Sequence, residues 1–157
     1  MEEFYKGKSV LVTGADGFMG SHLVERLLSY GAKVSVLVRA TSVTGTGLMR
    51  LKNIKHLVPK LKNVIAVDLG NPDAIDLIKR EKPEIIFHLA AEAYVPRSFK
   101  QPREVIRSII NGTINVLHAG LDENMKPVPW LKCIVATSSS EAYGNHDTPI
   151  SEEYLLM

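Results

Sequence analysis

Three glycines, Gly14, Gly17 and Gly20, follow one another at intervals of three residues near the amino terminus. They come directly after an apolar run of strand length and lead into an amphipathic stretch of helical length. In such a turn the first glycine permits a tight bend, the second lets backbone amides approach a pyrophosphate, and the third lets helix and strand pack closely. The pattern predicts a phosphate-binding turn rather than a glycine-rich turn without a ligand.

A second group of reactive side chains follows the apolar run from Cys133 to Thr137. Ser138, Ser139, Ser140 and Glu141 supply three hydroxyls and a carboxylate, which are groups that can hold or transfer protons. If the run is a parallel strand, these side chains lie at its carboxyl end, where open α/β sheets bind their ligands. The alternative is a serine-rich loop with a surface carboxylate.

A sheet with helices on both faces is needed to position these groups, because strand-length apolar runs alternate with longer amphipathic stretches. The predicted fold class is therefore α/β, a doubly wound parallel sheet of the Rossmann type in strand order 3-2-1-4-5. The predicted strands are Ser9 to Thr13, Lys33 to Val38, Val64 to Val67, Ile85 to Leu89 and Cys133 to Thr137, and the predicted helices are Met19 to Tyr30, Pro72 to Arg80 and Arg103 to Asn124.

The composition excludes several classes of function. With 157 residues, of which 45% are hydrophobic, the chain is long enough for one domain with a buried core. Its 19 basic and 17 acidic residues give a net charge of +2, which provides no global field for nucleic acid or a membrane surface. We expect the single cysteine, Cys133, to be a buried strand residue in a reducing cytoplasm. Neither a signal peptide, a membrane-spanning stretch nor a metal-ligand spacing of histidines is recognised.

The segment from Val12 to Leu23 (VTGADGFMGSHL) resembles the glycine motif of the extended short-chain dehydrogenases/reductases, which include sugar-nucleotide epimerases and dehydratases. The segments 67–69 (VDL), 88–91 (HLAA) and 137–144 resemble later motifs of that family, in the same order. The resemblance implies that the second motif holds the adenine and that the third lies along the ribose and phosphates. The cofactor-binding residues predicted from the motifs and the second strand are Gly14, Asp16, Gly17, Phe18, Met19, Gly20, Arg39, Asp68, Leu69, Leu89, Ala90, Ala91 and Thr137.

Arg39 bears on the choice of cofactor, because it stands at the end of the second strand. An acid at that position would bind the ribose 2′-hydroxyl of NAD and repel the 2′-phosphate of NADP. No acid is present, and a guanidinium makes strong charge-assisted bonds to phosphate. NADP is therefore favoured and NAD is the alternative, while Arg39 could also be a solvated arginine or stack on the adenine.

The resemblance gives roles to the side chains after the fifth strand. Ser139 matches a Ser or Thr that hydrogen-bonds the reacting hydroxyl of the sugar. Glu141 matches the glutamate base of sugar-nucleotide 4,6-dehydratases, which related decarboxylases also carry. Ser140 matches a position where some dehydratases have an aspartic acid as proton donor and others a serine. The predicted catalytic residues are therefore Ser139, Ser140 and Glu141, and Glu141 favours a dehydratase over an epimerase.

In this family a Tyr-x-x-x-Lys motif completes the chemistry, and its lysine lowers the pKa of the tyrosine. Tyr143 has Asp147 four residues later, and only three residues follow Tyr154. By resemblance Tyr143 belongs to the turn after the fifth strand, so the catalytic tyrosine and the sugar-binding lobe are expected beyond Met157. Residues 1–157 are then one incomplete cofactor-binding domain, which is expected to be inactive alone.

Two positions depart from the family pattern. Ile109 stands where relatives often have Asn, which puts the hydrogen-bonding role of that Asn in question. Glu92 follows Ala90 and Ala91 where a neutral or small residue is common, so a negative charge is expected either near the cofactor or pointing outward.

The sequence thus predicts the NADP- or NAD-binding part of a cytoplasmic sugar-nucleotide 4,6-dehydratase or epimerase that acts on a nucleotide-diphosphate sugar. No metal, nucleic acid or membrane is expected as a partner. Relatives dimerise through the helix that corresponds to residues 103–124, so the resemblance implies a homo-oligomer. The alternatives are a non-catalytic dinucleotide-binding module, a fragment without activity of its own, and a related sugar-nucleotide decarboxylase.

Overall fold

The computed structural model describes residues 1–39, 51–145 and 149–154. In these ranges five strands form one parallel sheet, and its order β3-β2-β1-β4-β5 confirms the predicted order and fold class. Each strand is a short run rich in apolar and β-branched residues, as expected for strands covered on both faces. The strands are β1 Ser9–Thr13, β2 Lys33–Val38, β3 Asn63–Ala66, β4 Ile85–His88 and β5 Cys133–Ala136.

Short helices connect the strands. None of the described helices is long and apolar enough to cross a membrane. The α-helices are α1 Glu2–Tyr5, α2 Phe18–Ser29, α3 Asp73–Glu81, α4 Val95–Lys100, α5 Pro102–Ile106 and α6 Gly112–Ala119; Lys55–Lys60 and Ser140–Tyr143 are 3₁₀ helices, and Arg107–Asn111 is a π-helical turn.

The hydrophobic core has two halves, one on each face of the sheet. Alternate residues of a strand point to opposite faces, so Val10 and Val12 of β1 belong to one half and Leu11 to the other. The first half includes α2 and the segment around the fully buried Ile54. The second includes α3 and α6. Helices on both faces make the sheet doubly wound, as predicted.

The register of the parallel strands brings their carboxyl ends level. Thr13, the last residue of β1, pairs with Leu37 of β2 and with His88 of β4. The loops that follow these three strands therefore emerge side by side at one edge of the sheet. This edge carries the glycine turn and the segment after β4, which the sequence analysis assigned to the cofactor.

The predicted helix from Arg103 to Asn124 is wrong in its extent and its regularity. The segment contains α5, the π-helical turn and α6, and the last helix ends at Ala119. Beyond it, the side chain of Asp122 accepts hydrogen bonds from the backbone N–H groups of Asn124 and Lys126, at 2.8 and 2.9 Å. A side chain that satisfies nearby amides in this way competes with helix formation, so a turn replaces the last predicted turns of helix.

Smaller differences concern strand ends and the cysteine. The strands β4 and β5 end one residue earlier than predicted, and β3 lies one residue earlier at both ends. Cys133 was expected to be buried but is exposed. It begins β5, which pairs with β4 on one side only, so among the described residues no strand lies on its other side.

Candidate functional site

A cavity of about 360 Å³ opens at the carboxyl edge of the sheet beside the glycine turn. The strand order reverses between β1 and β4, because β1 is followed by β2 on one side and β4 lies on the other. Open α/β sheets bind their ligands at such a switch point, and the volume suits a small-molecule site. The lining residues are Gly14, Ala15, Asp16, Gly17, Leu37, Val38, Arg39, Val67, Asp68, Leu69, Leu89, Ala90, Ala91 and Ser108.

The three glycines of the turn are needed for different reasons. Gly14 has φ +67°, and a Cβ there would lie 2.8 Å from the backbone nitrogen of Ala90. A Cβ at Gly20 would overlap the carbonyl oxygen of Gly14, so α2 could not pack against the turn. Gly17 has φ −74°, and a Cβ there would meet only the Gly14 oxygen, at 3.1 Å. Gly14 and Gly20 are therefore required by the packing of the backbone. Gly17 is not, and its main role among the three is to leave space for a ligand.

The amino terminus of α2 has no side-chain cap. Gly17 is the N-cap, no side chain caps the first turn, and that turn contains no acid. Its backbone N–H groups can therefore serve an anion. Phe18 and Met19 are 75% and 68% exposed and lie outside the cavity lining. Their contact with a cofactor stays a prediction.

Asp16 lines the cavity, but its carboxylate is engaged by another segment. It accepts hydrogen bonds from the backbone N–H groups of Lys52, Asn53 and Ile54 at 2.8 to 3.2 Å. The side-chain amide of Asn53 returns a bond of 2.7 Å to the Asp16 carbonyl oxygen. Asp16 therefore fastens the segment that begins at Leu51 to the glycine turn, a role that the sequence analysis did not foresee.

His88, the last residue of β4, lies directly beneath the cavity wall. Its ring is within 2.8 Å of the Thr13 hydroxyl and 3.0 Å of the Thr113 hydroxyl. The residue is 4% exposed, and burial lowers the pKa of its imidazole below the usual 6.5 because the charged form loses its hydration. Burial therefore favours the neutral form of His88.

A second cavity of about 230 Å³ adjoins the first, since Arg39, Asp68 and Ser108 line both. Asp68 accepts a bond from the Gly70 N–H and lies 3.5 Å from the Arg107 guanidinium. The other residues that line it are Glu92, Arg97 and Glu104. This second cavity is strongly polar, with both signs of charge.

Glu92, where the family pattern has a neutral or small residue, is paired with an arginine in the second cavity. Its carboxylate lies 3.0 Å from the Arg97 guanidinium, and its side chain is 16% exposed. It lines the second cavity and not the first. Arg39 is exposed and forms no ion pair with another described residue. The positive charge at the junction of the cavities is thus held by Arg39.

The predicted catalytic residues lie apart from the cavity wall. Ser139, Ser140 and Glu141 are exposed, and the Ser139 hydroxyl accepts a bond of 3.2 Å from the Glu141 N–H at the start of a 3₁₀ helix. Thr137 donates its hydroxyl proton to the His88 carbonyl oxygen at 3.1 Å and does not line either cavity. The described residues contain no group of three His, Cys, Asp or Glu side chains that could hold a metal ion.

Several residues of the cavity were not predicted. Leu37, Val38 and Val67 line it because they stand at or just beyond the carboxyl ends of β2 and β3, and the strand assignment alone could have identified them. Ser108 lies in the π-helical turn, and no pattern in the sequence signals that turn. Arg107, which faces Asp68, was missed for the same reason.

Comparison with known proteins shows the family to which the chain belongs. The family model described as GDP-mannose 4,6 dehydratase matches residues 11–156. A CDP-glucose 4,6-dehydratase of Salmonella typhimurium is 31% identical over 147 residues, covering 93% of this chain and 38% of that protein. A UDP-glucose 4-epimerase of Mycoplasma pneumoniae is 32% identical over 149 residues, covering 94% and 40%.

Among solved structures, the UDP-glucose-4-epimerase of Stenotrophomonas maltophila with bound NAD and formylated UDP-arabinopyranose is similar to the chain with a TM-score of 0.72 and 26% identity. The alignment covers 96% of this chain and 43% of that one. The chain therefore spans about two fifths of the length of each of these three relatives.

Proposed function

Because the chain belongs to the family described as GDP-mannose 4,6 dehydratase, we propose that its cavity binds a nicotinamide dinucleotide, NADP or NAD, as the cofactor-binding part of an enzyme that acts on a nucleotide-diphosphate sugar. The observation that carries the proposal is the placement of the cavity, at the switch point of the sheet and against the glycine turn. The dinucleotide found in the similar Stenotrophomonas structure agrees with this choice of ligand.

The residues of the cavity fit such a cofactor. The uncapped start of α2 offers N–H groups to a diphosphate, and the missing Cβ of Gly17 leaves room for its approach. Val38 and Leu89 provide apolar surface for the rings of the cofactor. Asp68 and the Leu69 backbone provide hydrogen-bonding partners for it in the same cavity. When bound, the cofactor accepts and returns a hydride.

NADP is the preferred cofactor in this proposal because of Arg39. It lines both cavities, whereas the acids Glu92 and Glu104 line only the second one. The other two arginines of the second cavity already pair with Glu92 and Asp68. Asp68, the acid that lines both cavities, is paired with Arg107. A 2′-phosphate at the junction would therefore meet the guanidinium of Arg39, which is unpaired among the described residues and can form a charge-assisted bond with it.

Titration calorimetry of the 157-residue chain with NADP and with NAD tests both parts of the proposal. We expect NADP to bind more tightly, and Arg39→Ala to weaken NADP binding at least about tenfold, as loss of a charge-assisted bond of about 1.5–3 kcal/mol predicts. Arg80→Ala is the matched control, since Arg80 is an exposed arginine in the last turn of α3, at the opposite edge of the sheet.

Three results of this titration would count against the proposal. Binding of neither dinucleotide would remove the proposed function. Tighter binding of NAD would overturn the NADP preference. An equal loss of both cofactors in Arg39→Ala would show that the guanidinium stacks on the adenine instead of bonding a phosphate.

For the reaction we propose a 4,6-dehydratase, with an epimerase or decarboxylase as alternatives. Glu141 supports the dehydratase as a carboxylate that can remove a proton, and Ser139 can hydrogen-bond the hydroxyl of a sugar. Both follow β5 at the carboxyl edge of the sheet that also carries the cavity. The alternative of a non-catalytic dinucleotide-binding module rests on the lack of Tyr-x-x-x-Lys within residues 1–157.

Assembly and location are part of the same proposal. The helical region from α5 to α6 exposes Ile106, Ile110, Ile114 and Leu117 to between 50% and 55%. An exposed apolar surface of this kind is typical of an interface between protein chains, so we propose that copies of the chain associate through it. A cytoplasmic location stays a prediction.

A further inference from the structure

Five groups form a continuous chain of hydrogen bonds beneath the cavity. The backbone N–H of Ala90 donates to the Thr13 hydroxyl at 3.2 Å, which lies 2.8 Å from Nδ1 of His88. Nε2 of His88 lies 3.0 Å from the Thr113 hydroxyl, which donates to the carbonyl oxygen of Ile109 at 2.7 Å. The chain thus runs from the cavity wall after β4, through β1 and β4, to the π-helical turn before α6.

The direction of each bond follows from the number of protons available. The Thr113 hydroxyl has one proton and gives it to Ile109, so it can only accept from His88. Nε2 of His88 therefore carries the ring proton, and Nδ1 is the bare acceptor. The Thr13 hydroxyl gives its proton to Nδ1 and accepts from Ala90. Every donor in the chain has an acceptor, and the bond to Thr113 fixes the tautomer of His88.

This series of hydrogen bonds joins two parts of the cavity wall. Ala90 lines the cavity and packs so closely on the glycine turn that a Cβ at Gly14 would lie 2.8 Å from its nitrogen. Ile109 belongs to the same π-helical turn as Ser108, which lines both cavities. A change in the His88 side chain would therefore affect both the Ala90 segment and the π-helical turn.

We propose that His88, as its Nε2–H tautomer, is a positioning residue for dinucleotide binding: it fixes the Ala90 segment and the π-helical turn at the separation that the ligand requires. The inference rests on the proposed function of the cavity. The hydrogen bonds agree with it, because a second ring proton on Nδ1 would face the Thr13 hydroxyl and leave that hydroxyl proton without its acceptor. His88 acts through Thr13 and Thr113 and does not itself line the cavity.

Paired substitutions at the two threonines test the proposal by rescue. Thr113→Val keeps the shape of the side chain and removes the hydroxyl, whereas Thr113→Ser keeps the hydroxyl. The ¹⁵N NMR resonances of the imidazole nitrogens report the tautomer in the free chain, and titration calorimetry reports the affinity for NADP and NAD. Thr13→Val and Thr13→Ser form a second pair at the other ring nitrogen, so one variant that fails to fold does not remove the test.

We expect the wild type and both serine variants to show the Nε2–H tautomer and affinities within about twofold of each other. Thr113→Val should lose the tautomer preference, whereas Thr13→Val, which keeps the Thr113 acceptor of the Nε2 proton, should retain it. Both valine variants should bind the dinucleotide about tenfold more weakly, the scale of one to two net hydrogen bonds. An Nδ1–H tautomer or a protonated ring in the wild type at pH 7 would overturn the proposal. So would valine variants that bind as tightly as the wild type. If the wild type binds neither cofactor, the proposed function fails and the positioning role falls with it, whichever tautomer is found.

Discussion

Replacing Gly17 by alanine separates the ligand-binding role of the glycine turn from its structural role. The residue has φ −74°, which alanine adopts without strain, and its only close neighbour for a new Cβ is the Gly14 oxygen at 3.1 Å. A Gly→Ala change at a compatible φ stabilises a protein by about 0.4–1 kcal/mol through the unfolded chain. This gain offsets the small shift that the Gly14 contact requires. We expect the free energy of unfolding to stay within about 1 kcal/mol of the wild type.

The effect of Gly17→Ala on binding should be much larger. Gly17 lines the cavity at the start of α2, so the new methyl group would stand between a diphosphate and the backbone amides. Loss of one charge-assisted hydrogen bond removes about 1.5–3 kcal/mol, which is about 10- to 100-fold in affinity. Calorimetric titration with NADP and NAD measures the affinity, and urea unfolding measures the stability.

Gly20→Ala is the matched control for this experiment. Its Cβ would overlap the Gly14 oxygen and lie 2.9 Å from Cα of Ala15, so α2 must move away from the turn. Overpacking of this kind costs about 1–3 kcal/mol or more, and the loss should be visible in urea unfolding. Wild-type affinity in Gly17→Ala would show that Gly17 does not make room for the ligand. A loss of stability as large as that of Gly20→Ala would show that its role is structural.

Three further outcomes are expected. The 157-residue chain should form no 4-keto or epimerised product from a panel of nucleotide sugars with NADP or NAD; turnover that Tyr143→Phe or Tyr154→Phe abolishes would show that a local tyrosine suffices. The chain should self-associate, and light scattering should show Ile110→Glu shifted toward the monomer; a monomeric wild type at high concentration would contradict this. Because burial lowers the pKa of His88 from the usual 6.5, the neutral form of its ring stabilises the fold above pH 6.5. The free energy of unfolding should therefore fall by up to about 1.4 kcal/mol per pH unit as the pH drops below 6.5. Urea unfolding across this range should show no such slope in His88→Gln, and an equal slope would assign the effect elsewhere.

The fold could be predicted from local sequence patterns because each strand and helix carries its own signal. The limits of β1 and β2 are those that the apolar runs predicted, since strands covered on both faces consist mostly of apolar residues. The helix predicted to reach Asn124 was too long because its apolar pattern continues past Ala119. There the Asp122 side chain accepts hydrogen bonds from the nearby backbone N–H groups. The apolar pattern does not show whether a side chain or the helix backbone will bind these groups.

The candidate site could be predicted in part. The glycine turn and the segment after β4 meet at the cavity because residues at the carboxyl ends of parallel strands converge whatever their distance in sequence. The contacts of Asp16 with Lys52 to Ile54 and of Asp68 with Arg107 could not be foreseen. They depend on which way a side chain turns, and a motif gives only its position along the chain.

The engaged carboxylate of Asp16 has a consequence for the energetics of the whole site. An unpaired negative charge in a phosphate-binding turn would repel a diphosphate, but three amide dipoles from Lys52 to Ile54 oppose that charge. A diphosphate should thus favour the state in which this segment is fastened, and by thermodynamic reciprocity the fastened segment favours the diphosphate by the same factor. Hydrogen exchange at these three amides should slow when NADP or NAD is added, and an unchanged exchange rate would show that the charge on Asp16 and the ligand are energetically independent.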